Sequence, residues 1–400
     1  MIKISQHFFT ISLIFSISIS LNSCSTKTEY QKLKQILSTE EYSRVAEALK
    51  IAGKNANELT KAIENCGDKE LEGLVFLLIN MPERDLKNLS SKYLLENIRL
   101  TYSVLDSVNW GKSIPKEILN NYVLPYVNLH ERRDNWRQDF LNKFLTLVKD
   151  LPSSSEAVVK LNNEIWDIVN VHYSTKRPKA DQSPYESIDA GLASCTGLSI
   201  LLIDACRAVG IPARFVGIPL WKDHSGNHSW VEIWDNGWHY IGAGEPGPLN
   251  KSWFGERAKL SDDSNWKYSI YASSFKKTDV IFPPLFDTTA TYVYADIVTE
   301  RYSEKLADDG LVALGIRLFD KVNSKRIDGN VELIENGKVI ASGKTRNEQH
   351  DFNDLLVFRV KPDSKFEIVA QSNGKKVKKN INTDKTKYQF AELHLAVTTE

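Results

Sequence analysis

Ala193-Ser194-Cys195-Thr196-Gly197-Leu198 opens a run whose apolar positions Leu198, Leu201, Leu202, Ala205 and Val209 recur at helical spacing, with Gly210 as the stop and Pro212 just beyond. Cys195 shares that face, so its sulfur is expected to point toward whatever the helix packs on. A thiol at a helix start is well placed to react. The thiolate is the attacking form, and the unpaired amides and dipole of a helix N-terminus stabilise negative charge, most of all beside an imidazolium.

Working outward, Ala213 to Ile218 reads as the first strand of the partner sheet. Asn227-His228-Ser229-Trp230-Val231-Glu232 starts a second strand that runs from His228 to Trp234. Asp235-Asn236-Gly237 is a strong hairpin signal, and a return strand spans Trp238 to about Ala243. Helix, strand and hairpin form the inferred core, with Cys195 and His228 as nucleophile and imidazole base.

These residues resemble the transglutaminase-like superfamily, whose shared core is papain-like: a Cys at a helix start, a His on the next strands and an acid on the strand after. The matching positions are Cys195 in Ala-Ser-Cys-Thr-Gly, the stretch Arg207-Ala208-Val209-Gly210-Ile211-Pro212, and His228 in His-Ser-Trp-Val-Glu. More narrowly, Glu47 to Gly53, Ile79-Asn80-Met81-Pro82, Val123-Leu124-Pro125-Tyr126 and Trp136-Arg137 resemble the helical leader of bacterial transglutaminase-like lipoproteins. The resemblance implies peptidase, amidase or cross-linking chemistry on peptide, protein or glycopeptide amides, and it fixes chemistry better than substrate.

One position departs from the pattern. Counting from His228, the family's usual Asp falls on Gly242, which has no side chain. The nearest acids are Glu245 and Asp235, and Asp235 lies ~23 Å from His228 at strand rise, too far to serve. A two-residue Asn236-Gly237 loop would set His228 opposite Glu245. A three-residue loop would slip the register by one and leave Glu245 to reach in from beyond the strand. Glu245 is the expected third member either way. Cys195 would attack the carbonyl, His228 would shuttle the proton, Glu245 would hold the ring, and the Cys195 amide would donate to the oxyanion.

Plainer readings exist for each residue. A Cys on an apolar helix face is commonly a small buried hydrophobe, a His a hydrogen-bonded structural group, and Glu245 a solvated loop acid in Gly244-Glu245-Pro246-Gly247-Pro248. Trp221, Trp230, Trp238 and Trp253 could wall a substrate cleft or fill core. Asp223, His224, His228 and His239 could be read as metal ligands, but Ser225-Gly226-Asn227 is a turn, so the helical His-x-x-x-His argument fails and neither metal nor cofactor is expected. The two function classes are a thiol enzyme and a non-catalytic binding protein that kept the fold while losing the acid at position 242.

The N-terminus carries a second pattern. Lys3 is the sole charged residue before Cys24, and the apolar, Ser-interrupted run Phe8 to Leu21 ends in Leu21-Asn22-Ser23-Cys24. This resembles a bacterial lipoprotein signal, cleaved before Cys24, whose acyl chains would anchor an exported protein on the cell-envelope side of a membrane through the tether Ser25-Thr26-Lys27-Thr28. Lys plus Arg and Asp plus Glu both number 51, so no net field attracts nucleic acid, and none is expected as partner. The cluster Lys375-Lys376-Val377-Lys378-Lys379 reads as the solvated face of a strand. Cys66, Cys195 and Cys206 remain after Cys24. Cys195 and Cys206 share a helix too far apart to bridge; a Cys66–Cys206 bridge stays open, and buried thiols are the expectation for both.

The expected organisation is α+β and multidomain: a signal peptide at 1–23, a helical domain at 24–150, a transglutaminase-like α+β core at 151–286, and a β-sandwich of immunoglobulin or prealbumin-like type at 287–400. Ser38-Thr39-Glu40-Glu41 is a capping box, and the helix it starts ends at Gly53. Further helices are expected around 70–79, 93–108, 116–122, 136–148 and 155–169, with Pro82 and Pro125 as breaks. Pro178 to Pro184 could rim the site. Short strands from Tyr292 onward, with turns at Asn336-Gly337 and Asn373-Gly374, suggest the sandwich, read as an interaction or spacer module.

Overall fold

The computed structural model describes residues 33–34, 37–283, 290–304, 310–386 and 388–396. The signal-like run and Cys24 lie outside these residues. Among the described residues, no helix is long and apolar enough to cross a membrane.

The first body is helical: α1 Thr39–Ala52, α2 Ala56–Glu64, α3 Leu71–Asn80, α4 Glu83–Leu86, α5 Ser91–Leu105, α6 Lys116–Tyr122 and α7 Arg137–Val148. α1 begins where its capping box closes, with the Ser38 hydroxyl and the Glu41 carboxylate each accepting a backbone N–H of the other residue. It stops at Gly53, whose φ of +57° suits a residue without Cβ. Buried Val45, Leu49, Leu59, Leu74, Leu78 and Leu94 give this region its own core.

The leader motifs have a physical reason. Pro125 breaks the chain after α6 and leaves carbonyls without helical partners. The buried Arg137 guanidinium donates to the carbonyls of Val123, Leu124 and Pro125, and also to that of Arg207. The break is thus satisfied and the helical body tied to the end of the cysteine helix by one side chain. Trp110 adds a second tie, its indole N–H donating to the Gly210 carbonyl at 3.0 Å.

The core contains α8 Ser154–Val169, α9 Pro184–Ala190 and the cysteine helix α10 Cys195–Ala208, with a short parallel pair β1 His172–Tyr173 and β2 Leu192–Ala193. Its main sheet is antiparallel, in the order β5-β4-β3-β6-β8-β7: β3 Ala213–Ile218, β4 His228–Trp234, β5 Trp238–Ile241, β6 Tyr271–Ser274, β7 Val280–Ile281 and β8 Tyr294–Ile297. α10 packs on this sheet through fully buried Leu201, Leu202 and Ala205. The expected helix, strand and hairpin are all present.

The placement of β8 corrects one expectation. The sequence pattern groups Tyr292 to Thr299 with the sandwich, but β8 pairs with β6 and β7, so it belongs to the core sheet. Alternation along so short a strand shows which face is covered and not which sheet it joins.

Among the described residues, seven strands follow in two sheets: β9 Val312–Lys321, β10 Asn330–Glu335, β11 Lys338–Lys344, β12 Leu356–Val360, β13 Lys365–Ser372, β14 Lys375–Asn382 and β15 Tyr388–Ala396. One sheet runs β11-β10-β13-β14, the other β12-β9-β15, and Leu314, Leu318, Leu333, Ile368 and Ala391 fill the space between them. The lysines of β14 are all exposed, as suits an edge strand. The loop between β11 and β12 leaves the sandwich and lies against the core.

Candidate active site

Ser194 caps α10, its hydroxyl accepting from the Gly197 amide at 3.2 Å and donating to the Ala180 carbonyl at 2.6 Å. The 178–184 stretch therefore does close over the start of the cysteine helix. His228 is the first residue of β4 and lies opposite Ile218 of β3, at the end of the sheet that meets the start of α10. Helix start and strand start thus bring residues 195 and 228 together.

A third side chain joins them. The Cys195 sulfur, a ring nitrogen of His228 and a carboxylate oxygen of Asp351 all lie within 4.8 Å of one another. Asp351 comes from the β11–β12 loop of the sandwich, and its carboxylate lies close to the Cys195 sulfur. It lies 3.7 Å from His228 Nδ1, while Glu245 Oε1 lies 3.8 Å from Nε2. The imidazole stands between two carboxyls, one at each nitrogen. Both distances exceed a hydrogen bond, and neither ring nitrogen has a hydrogen-bond partner.

The hairpin register explains how Glu245 arrives. Trp234 pairs with Trp238 and Val231 with Ile241, so the loop is the three residues 235–237 and pairing ends before Gly242. Glu245 therefore reaches back from a turn, in which its amide donates to the Gly242 carbonyl. Asn162 of α8 clamps that turn by donating to the carbonyls of Gly242 and Glu245 and accepting from the Gly244 amide. The Trp253 indole then donates to Glu245 Oε1 at 2.7 Å. A Cβ on Gly242 would collide with Glu245 Oε2.

Aromatic rings box the imidazole. Trp221, Trp230, Trp253 and Phe254 all lie near His228, with Trp253 closest at 4.7 Å between centroids. Trp221 and Trp230 stack on one another and are fully buried, so they wall the site from inside. Trp238 is elsewhere. It lies at the far end of the hairpin, against Tyr122 and over the Arg214 guanidinium, because the strand carries it away from His228. Glu232, from the same motif as His228, is structural, bound by Arg214, Arg301 and the Tyr302 hydroxyl.

Asp351 was missed in the sequence reading, and the reason is distance along the chain. Its loop is held by Arg326, whose guanidinium donates to the carbonyls of Asn347, His350, Asp351, Phe352 and, at 3.4 Å, Asp354. Bonds to the core then fix the tip: the Phe352 amide donates to the Tyr173 hydroxyl, Asn353 Nδ2 to the Asn227 carbonyl, and Arg257 to the Asn353 carbonyl. Gly226 lets Asn353 approach, since a Cβ there would lie 2.8 Å from its Oδ1. A polar loop with His, Asp and Asn side chains between two short strands was the available signal.

Burial sets the charges. The Cys195 thiol is pushed up to about 12 by burial and then by the Asp351 charge, against hydrogen bonds from Ser229 and Thr196. His228 is pushed down to about 3 by burial, with Arg257 adding to it. In this closed arrangement the pair is a thiol and a neutral imidazole. The expected thiolate at a helix start is outweighed by desolvation. Burial also raises Asp351 to about 6 and Glu245 to about 8. Glu245 keeps 26 % of its side-chain surface open, but Oε2 is covered and has no partner, so the charged end is the desolvated part.

The other expected groupings do not assemble. Asp223 pairs with Arg257, His224 bonds the Tyr268 hydroxyl, and His239 bonds Asn250 and the Asp235 carbonyl, so these residues do not converge with His228 on a metal. Cys66, Cys195 and Cys206 form no disulfide.

The profile of the transglutaminase-like superfamily matches residues 145–243, and this part of the chain is a transglutaminase-like domain. The matched segment holds Cys195, His228 and Gly242, while Glu245 and Asp351 fall beyond it. No curated protein matches the chain. Similar solved structures include a Cytophaga hutchinsonii protein described provisionally as a cysteine protease, 18% identical over 36% of this chain and 48% of that one, with a TM-score of 0.29. Red sea bream transglutaminase is 9% identical over 69% of this chain and 65% of its own length, with a TM-score of 0.31. The chain thus spans about half the length of the first and under two thirds of the second.

Proposed function

We propose that this protein is a thiol-dependent acyl transferase or amidohydrolase acting on peptide, protein or glycopeptide amides, held on the envelope side of a bacterial membrane by acyl chains on Cys24. The observation that carries the chemistry is the meeting of the Cys195 sulfur with the His228 ring, within 4.8 Å and backed by carboxyls. In the reaction the thiol proton passes to the His228 ring, whose Nδ1 stands on the Asp351 side, as sulfur adds to the amide carbonyl. Glu245 Oε1 at Nε2 is placed to accept the other ring N–H and so keeps that proton on the far nitrogen. The ring then protonates the leaving amine. Water as second acceptor gives hydrolysis, and a primary amine gives cross-linking.

Because thiol and imidazole are both neutral when closed in, proton transfer accompanies attack, and no resident ion pair is required. Asp351 sits on the sulfur side, where an acyl group has to come, so the β11–β12 loop must yield before a large substrate binds. The test is trapping of an acyl-enzyme from labelled peptide amides by mass spectrometry. Cys195 should carry the acyl group, none should form in Cys195→Ala, and formation in His228→Ala should be slower by ~10³-fold or more. A protein that takes up such peptides without ever acylating Cys195 is instead a binding module on the same fold, the reading favoured by the raised thiol.

A further inference from the structure

Cys195, His228 and Asp351 come from three differently braced elements, a helix start, a strand start and a loop held by Arg326. They offer one sulfur, one nitrogen and one oxygen within 4.8 Å of one another. We infer that these three side chains form a binding site for a thiophilic divalent cation of the zinc class, with Glu245 supporting His228 from behind.

Two independent observations point to a ligand. First, the His228 side chain is 1% exposed, yet neither of its nitrogens is hydrogen-bonded, and the surrounding indole and phenyl rings cannot accept from it or coordinate for it. A buried imidazole without partners is uncommon in a packed protein. Second, the spacing fits. Tetrahedral zinc with bonds of about 2.0–2.3 Å sets its donors roughly 3.3–3.8 Å apart. His228 Nδ1 and Asp351 Oδ2 already stand 3.7 Å apart, and the longest separation of the trio must close by about 1 Å.

The donor set selects the ion. One thiolate, one imidazole and one carboxylate suit zinc or cobalt and not magnesium or calcium, which take oxygen alone. Three protein ligands leave a fourth position for water. Glu245 Oε1, 3.8 Å from Nε2, is placed to receive the remaining ring N–H, the carboxylate–imidazole–metal arrangement that fixes tautomer and orientation. Binding forms bonds from sulfur, Nδ1 and oxygen to the ion and releases the thiol proton to solvent; nothing is oxidised or reduced. An ion held there also joins the sandwich to the core, because Asp351 belongs to one and Cys195 and His228 to the other.

The inference rests on the proposed thiol chemistry only for its consequence, that bound ion silences the nucleophile. The test uses the full chain, stripped with chelator and titrated with zinc against a chromophoric chelator, then with cobalt. One equivalent should bind, cobalt should give a thiolate charge-transfer band in the near ultraviolet with four-coordinate visible bands, and both should vanish in Cys195→Ser. Asp351→Asn and Glu245→Gln, close in shape to the native residues, should each weaken zinc at least tenfold with the melting transition retained. Absence of an equivalent, or zinc bound undiminished in Cys195→Ser and Asp351→Asn, overturns the site. Iodoacetamide separates the two readings. If the metal-free thiol reacts and one equivalent of zinc does not protect it, the metal site falls alone. If zinc binds as described but the metal-free protein never forms an acyl-enzyme, acyl transfer falls and the metal site stands.

Discussion

Glu245 Oε2 fills the space that a side chain on Gly242 would need. Glu245 reaches this space from a turn three residues later, and its Oε1 stands 3.8 Å from His228 Nε2. Position 242 has to stay bare because the Glu245 carboxyl occupies the volume its Cβ would take.

The two positions should therefore be exchangeable as a pair. Glu245→Ala is expected to slow acyl-enzyme formation by ~10⁴-fold, the scale on which loss of a histidine-orienting acid acts. Gly242→Asp alone sets two carboxyls in one space and should cost about 1–3 kcal/mol in urea unfolding. Combined with Glu245→Ala, Gly242→Asp should restore at least tenfold of the lost rate. A double variant no faster than Glu245→Ala would show that Glu245 does not occupy the orienting position.

The core was legible because its signals are local. α10 shows a 3.6-residue apolar repeat with Gly210 as its stop, and the hairpin shows alternating strands around Asn236-Gly237, so each element follows from neighbours in sequence. Register was half legible: both loop lengths were foreseeable, but the choice depends on how Asp235 and Gly237 bond across the turn, where the Asp235 amide donates to the Gly237 carbonyl. Asp351 was not legible. Its approach to Cys195 is set by Arg326, Tyr173 and Asn227 acting through backbone groups, and such bonds leave no periodic trace in sequence. The neutral thiol was missed for a related reason, since helix position can be read locally and burial by a distant loop cannot.

Stability should depend on pH in a way that isolates Glu245. Its carboxyl is held at about 8 against an ordinary 4.5, so the folded chain keeps the proton that the unfolded chain gives up. That contribution is complete below the ordinary value and is lost as pH climbs through the raised one. Asp351, held at about 6 against 3.8, loses its share over a lower part of the same range. His228 runs oppositely: held at about 3 against 6.5, it costs stability as pH falls through that interval. In chelator-treated protein, Glu245→Gln should gain melting temperature relative to wild type between about pH 5 and about pH 8 and leave the acid limb unchanged. A difference between the two proteins that is flat over this range would mean that the carboxyl is not desolvated in solution.

Arg326 controls whether the sandwich loop stays against the site. Its planar guanidinium serves carbonyls from Asn347 to Asp354 at once, a pattern that a lysine ammonium, a single point of charge, does not reproduce. Arg326→Ala leaves several buried carbonyls unpaired and should destabilise the full chain by about 2–4 kcal/mol, with Arg326→Lys recovering only a minor part. The local effect is the more telling one. Amide exchange in 347–354 should accelerate well before the rest of the sandwich, and iodoacetamide should reach Cys195 at least tenfold faster, because a loosened loop withdraws the Asp351 carboxylate that both covers the sulfur and opposes its charge. If the loop exchanges faster while the thiol reacts at the wild-type rate, the contact between Asp351 and Cys195 does not govern access to the nucleophile, and the desolvation that raises the thiol must come from the core alone.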